Sequence, residues 1–105
     1  VHVLILTFSL AGIDDEVYRR IADEAAPGFA DLPGLVAKTW LADPATNTYG
    51  GVYVWAERDA MEDYLESEVV EGLRTSPAFV DLDVRTFGTL DGPNAVTSPA
   101  LAAVA

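Results

Sequence analysis

Residues 33–65 read PGLVAKTWLADPATNTYGGVYVWAERDAMEDYL, and this stretch decides the fold. Residues 34–42 are rich in branched and aromatic side chains and read as a strand. Asp43-Pro44-Ala45-Thr46-Asn47 carries dense turn chemistry. Residues 49–56 read as a second strand, so the pair forms a hairpin. Asp59, with Glu62 three residues on, has the spacing of a capping box and opens a helix presenting Met61, Tyr64 and Leu65. The hairpin concentrates Lys38, Trp40, Tyr49, Tyr53 and Trp55 on two neighbouring strands. Such a wall of rings with polar handles suits an aromatic or apolar ligand.

Outward from this stretch, residues 2–9 form a branched apolar run that Gly12 breaks. From Asp14 the series Val17, Ile21, Ala25 repeats every four residues, with Tyr18 and Ala22 beside it. This is an amphipathic helix, with Asp15, Arg19, Arg20 and Asp23 outward and Pro27-Gly28 ending or bending it. Ser67 interrupts the second helix, a further segment presents Val69, Val70 and Leu73, and Pro77 stops it. In residues 79–89, Val80, Leu82 and Val84 alternate with Asp81, Asp83 and Arg85 as in a half-buried strand. The order β-α-β-β-α-β predicts an α+β, ferredoxin-like domain over residues 1–90: a four-stranded antiparallel sheet with both helices on one face. Residues 91–105 are rich in Pro, Gly and Ala without clear period, a tail or dimer arm.

Both faces of the expected sheet are apolar. Val3 and Ile5 oppose Leu4, Leu6 and Phe8; Val52 and Val54 oppose Tyr53 and Trp55. Helices cover one face, so the other calls for a partner, most simply a second copy across a two-fold axis. A homodimer through the sheet face is therefore expected.

Composition narrows the chemistry. Seventeen acidic residues against six basic ones give a formal charge of −11, which argues against nucleic acid and anionic membranes as partners. The absence of cysteine excludes disulfides, thiol nucleophiles and thiolate metal sites. With a single histidine, His2, no Ser-His-Asp set is credible, and no metal-ligand spacing or phosphate loop is present. No metal and no bound cofactor is expected. The first apolar run lacks a basic leader and is too short to span a bilayer, so a cytoplasmic location is expected.

Several residues have competing explanations. Trp40 and Trp55 serve equally as packing or as pocket wall. Lys38 shares a strand face with Trp40 and is either a rim residue or a counter-charge inside a pocket. Tyr49 and Tyr53 flank Gly51 on one face, where they pack or donate hydrogen bonds to a ligand; Gly50-Gly51 marks a bulge or close approach. Tyr64 and Tyr18 approach the same space from the helices. Asp81, Asp83 and Arg85 read as a solvated or inter-subunit face.

The runs PGLVAKTW, TYGGVYVW and AMEDYLES resemble the YdhR-type mono-oxygenase family of the dimeric α+β barrel superfamily. The family pattern is close to PGF-x-x-K-x-W, a short linker, GG-[VI]-Y-[LV]-[FW], and a helix with A-x-x-Y-L. This chain matches at Pro33, Gly34, Lys38, Trp40, Gly50, Gly51, Tyr53, Trp55, Tyr64 and Leu65. The similarity spans residues 3–90, leaving the tail beyond Pro93 outside. The resemblance implies a homodimer with a pocket between sheet and helices, and cofactor-independent oxidation of a small aromatic or polyphenolic, polyketide-like substrate. Lys38, Trp40 and Tyr53 would then be catalytic, with Tyr49, Gly51, Trp55 and Tyr64 binding substrate. In one departure, Thr7 stands where a member of the family carries a strand-one histidine, so this chain lacks any base that histidine provides. A same-fold isomerase, cyclase or decarboxylase, or a non-enzymatic small-ligand-binding dimer, stays open as an alternative.

Overall fold

Alternating apolar residues at the start of the chain form β1 (His2–Leu10) of the computed structural model, which describes residues 1–104 and the side chains of residues 1–101. The chain continues through α1 (Asp15–Ala30), β2 (Leu35–Asp43), β3 (Thr48–Trp55), α2 (Arg58–Leu65), α3 (Glu68–Thr75) and β4 (Phe79–Gly88). The sheet order is β2-β3-β1-β4, with every neighbour antiparallel. This is the ferredoxin-like arrangement the hairpin and its flanking helices imply.

Leu4, Leu6, Phe8 and Leu10 of β1 and Tyr49, Tyr53 and Trp55 of β3 are buried on the helix-covered face. They meet Tyr18 of α1, Met61 and Tyr64 of α2, and Val70 of α3 in one core. Val3, Ile5, Val52 and Val54 occupy the other face. Gly50 holds β3 tight against β1: its φ is +141°, and a Cβ there would sit 1.9 Å from the Leu6 carbonyl oxygen. Asn47, at φ 52°, fastens the hairpin turn to β1. Its amide accepts from Leu10 N at 3.2 Å and donates to Leu10 O at 3.0 Å.

One open alternative is resolved and three local details differ from the sequence expectation. Of ending or bending, Pro27 does not end α1, which runs to Ala30 with Pro27 inside it. The chain stays helical because Phe29, one turn beyond Ala25, packs against the core. Asp59 is not the cap of α2. Glu57 occupies that position without a side-chain cap bond, and Glu62 instead accepts from Arg58 Nε at 2.8 Å, an exposed i,i+4 pair. In β4 the alternation slips at Asp81, whose φ is 55°, where the pairing with β1 is irregular. Val80 is therefore 37% exposed, while Leu82 and Val84 pack against the core. Finally, the tail folds as α4 (Asp91–Thr97) and α5 (Pro99–Val104), helices of seven and six residues that are too short to show a period. They lie near Val1, Val3 and Val54, at one end of the second sheet face.

Candidate functional site

A cavity of about 250 Å³ lies between the helix-covered sheet face and the helices α1, α2 and α3. Phe8 and Phe79 form part of its floor, Ala22, Ala25 and Phe29 its α1 wall, and Tyr64, Gly72 and Leu73 the wall opposite. Ile21 and Val69 also line it and are 42% and 49% exposed, so apolar side chains form its mouth. Lys38, Trp40 and Tyr53 face it from the hairpin.

Lys38 is the only lysine in the sequence. It pairs with Tyr53 across the hairpin, and Trp40 pairs with Gly51. The lysine stem runs over Gly51, where a Cβ would lie 2.8 Å from Lys38 Cε. The missing side chain at Gly51 is what lets the amine turn inward. Lys38 Nζ then sits 3.3 Å from the Trp40 ring centroid, 3.5 Å from Phe29 and 4.6 Å from Tyr53. No carboxylate lies within salt-bridge reach of it among the described residues. Burial pulls its pKa down from 10.5 to about 7. The ring faces oppose that pull, since a desolvated cation–π contact is worth about 2 kcal/mol. The amine thus titrates close enough to neutrality to exist in both forms.

Tyr53 and Tyr64 place their hydroxyls 3.0 Å apart, in a buried pair lining the cavity. Burial raises the pKa of both, with the neighbouring Tyr64 adding to the effect at Tyr53. Both therefore stay protonated at neutral pH. One shared hydrogen bond uses one of their two O–H groups, leaving one to donate to a ligand. Tyr18 also lines the cavity, and burial raises its hydroxyl to about 12.

The remaining candidates lie behind this layer. Tyr49 is buried, and its hydroxyl donates to Asp15 Oδ1 at 2.7 Å, while Arg19 Nε donates to the other Asp15 oxygen at 2.6 Å. The hydrogen bond to Asp15 is the main reason the Tyr49 pKa rises. Trp55 stacks on Tyr53 at 6.1 Å and 5° and supports that ring from outside the cavity. Its Nε1 is buried without a protein partner among the described residues. Thr7 belongs to the opposite face, between Gly50 and Asp83, so a base at that position would not face this cavity. Phe29 is the residue the sequence reading missed. It stands at 81° to Trp40, with centroids 5.2 Å apart. The four-residue series Val17, Ile21, Ala25 continues to it past Pro27 and could have revealed it.

A larger hollow of about 390 Å³ lies under the tail, lined by Val1, Val3, Val54, Thr89, Asp91, Asn94, Ser98 and Leu101. Among the described residues it is lined by no aromatic ring and no cationic side chain, so its chemistry is poorer than that of the smaller cavity. Among the described residues no group of three or more His, Cys, Asp or Glu is arranged to hold a metal ion. No helix among them is long and apolar enough to cross a membrane.

The family model described as "Putative mono-oxygenase ydhR" matches residues 3–99, reaching further into the tail than the motif resemblance. Among solved structures, a putative antibiotic biosynthesis monooxygenase from Deinococcus radiodurans aligns with TM-score 0.68 at 14% identity, covering 86% of this chain and 93% of that one. SnoaB, a cofactor-independent oxygenase from Streptomyces nogalater, aligns with TM-score 0.64 at 21% identity, covering 85% and 92%. The heme-degrader MhuD from Mycobacterium tuberculosis aligns with TM-score 0.66 at 13% identity, covering 86% and 96%. These likenesses establish a shared fold. A search of curated proteins finds no match.

Proposed function

Because this chain belongs to the putative mono-oxygenase ydhR family, we propose that it is a cofactor-independent mono-oxygenase acting on a small hydroxylated aromatic compound in the cavity around Lys38. The observation that carries this reading is the placement of one amine, titrating near neutrality, inside an aromatic cavity. Unprotonated Lys38 takes the proton of the ligand's hydroxyl or activated C–H group. The resulting ammonium then holds the anion in a site of low dielectric. Trp40 and Phe29 stack around the ring, and the spare O–H of the Tyr53–Tyr64 pair donates to a second ligand oxygen.

An electron-rich anion of this kind reduces oxygen itself. One electron passes to O₂, the two radicals join at a ring carbon, and the hydroperoxide loses water to leave a carbonyl. One oxygen atom enters the product and the other leaves as water, with all four electrons and the two hydrogens of the water supplied by the substrate. The protein need only bind, deprotonate and desolvate. The chain's one histidine, His2, belongs to a hollow with Arg58 and Met61, which leaves the Lys38 cavity without an imidazole ligand for haem.

The second sheet face, which the helices α1 to α3 leave free and the tail meets only at its Val3 and Val54 end, supports a homodimer. Val3, Ile5, Val52 and Val54 form a branched apolar surface, and Phe87 beside it is 42% exposed. A second sheet would cover it, and the tail helices would reach the same interface. The high acidic charge favours a small neutral ligand over nucleic acid or an anionic membrane.

The test is oxygen uptake by chelator-treated protein with hydroquinones and naphthohydroquinones, beside Trp40→Ala. Uptake that survives chelation, incorporates one labelled oxygen atom per product and falls in Trp40→Ala supports the reading. Product formation without oxygen would instead favour an isomerase or decarboxylase. Tryptophan quenching without turnover would favour a ligand-binding dimer.

A further inference from the structure

We propose that Lys38 also forms a reversible imine with an aromatic aldehyde or ketone seated in the same cavity. This goes beyond the oxygenase reading and needs only the cavity and its amine. The position is unusual for a lysine in so acidic a chain. Seventeen Asp and Glu are available as partners, yet the side chain turns over Gly51 into a layer of rings. A desolvated lysine without a carboxylate partner is a nucleophile in waiting, and burial leaves far more of it unprotonated near pH 7 than of an ordinary lysine.

The cavity selects the electrophile. An apolar cavity of about 150 Å³ holds one benzene ring, so about 250 Å³ fits two fused rings. Rings cover the floor and one side, and exposed Ile21 and Val69 guard the mouth, which disfavours charged carbonyl acids. The Tyr53–Tyr64 pair has one O–H left to donate, and a carbonyl oxygen can accept it. The amine lone pair forms the C–N bond while the carbonyl π pair moves to oxygen, which that donor stabilises. A proton passes from nitrogen to the alkoxide oxygen, and the spare O–H of the Tyr53–Tyr64 pair gives the resulting hydroxyl a second proton. The C–O bond then breaks and water leaves as the nitrogen lone pair forms C=N, and the iminium N–H proton returns to the tyrosine oxygen. Aldehyde and amine become imine and water, with no net oxidation.

The experiment is reductive trapping of the full chain with 2-naphthaldehyde and sodium cyanoborohydride at pH 7, followed by peptide mass mapping. One naphthylmethyl group on Lys38 is expected, formed at least about tenfold faster than on a free lysine side chain of ordinary pKa. Lys38→Arg should lose the adduct. Gly72→Leu keeps the amine but places a side chain at the cavity wall, in space that is open beside Gly72, and should lose it too. If circular dichroism shows Gly72→Leu unfolded, competition by 2-methylnaphthalene on the unaltered protein replaces it, and slower labelling is expected. Labelling at the free-lysine rate, labelling confined to the terminal amine, or labelling indifferent to both Gly72→Leu and the competitor would overturn the proposal. Oxygen uptake is a separate readout, so either reading can fail alone.

Discussion

The two faces of this sheet are built from alternate residues of the same strands, yet they have opposite characters. On the helix-covered face β3 contributes Tyr49, Gly51, Tyr53 and Trp55, three large rings and a gap. On the other it contributes Val52 and Val54. Rings of unequal size packed against the helices leave a cavity, and the gap at Gly51 admits an amine to it. Small branched side chains make a level surface suited to another sheet. On the proposed function, chemistry belongs to one face and assembly to the other.

That division can be broken at either face. Lys38→Met should cost the largest factor, about a thousandfold in oxygen uptake, within the range for loss of an acid–base group. Thermal melting should show the variant at least as stable, because a buried amine is replaced by an apolar chain of similar length. A loss of activity matched by unfolding would instead make Lys38 structural. On the other face, Ile5→Asp places a carboxylate in the proposed interface. The dimer dissociation constant in sedimentation should rise about a hundredfold, with the cavity unchanged. An unaltered constant would remove this face from assembly.

Two smaller effects sharpen the same contrast. If unprotonated Lys38 is the base, turnover should fall about tenfold per pH unit below about 7. Stability has its own sign. The folded pKa lies below the unfolded value of 10.5, so the unfolded chain binds more protons between the two. Stability should therefore rise with pH from about 7 towards 10. Lys38→Met should flatten that rise in urea titrations, whereas Ile5→Asp should not. Tyr64→Phe should have the smallest effect. Loss of the bond to Tyr53 should cost about 1 kcal/mol in urea unfolding, with ligand affinity little changed, because the freed Tyr53 O–H still leaves one donor for a second ligand oxygen.

Legibility in the sequence followed physical range. The period of two placed Lys38 with Trp40, and Tyr49 with Tyr53, on shared strand faces because a strand's alternation is local; that the two pairs meet on one sheet face depends on the hairpin register. The homodimer expectation came from the same alternation, carried across β1 and β3. Phe29 escaped because Pro27 breaks the local rule for helix continuation, while the packing that overrides it is tertiary. The slip at Asp81 escaped for a similar reason: a bulge is defined by its pairing with β1, not by the residues of β4 alone. The engagement of Tyr49 with Asp15 depends on how α1 is rotated against the sheet, which no spacing within either element encodes. Gly51 was visible as a glycine in a strand, but its use as a passage for the lysine stem emerges only in three dimensions.

The solitary lysine has a practical consequence. A protease specific for lysine has one peptide bond to cut, that between Lys38 and Thr39, in the middle of β2. β2 is an edge strand, and its hydrogen bonds to β3 must be released before the bond can enter a protease cleft. The rate of that single cut therefore reports the opening of the hairpin in unlabelled protein, and a ligand that fills the cavity should register as slower digestion.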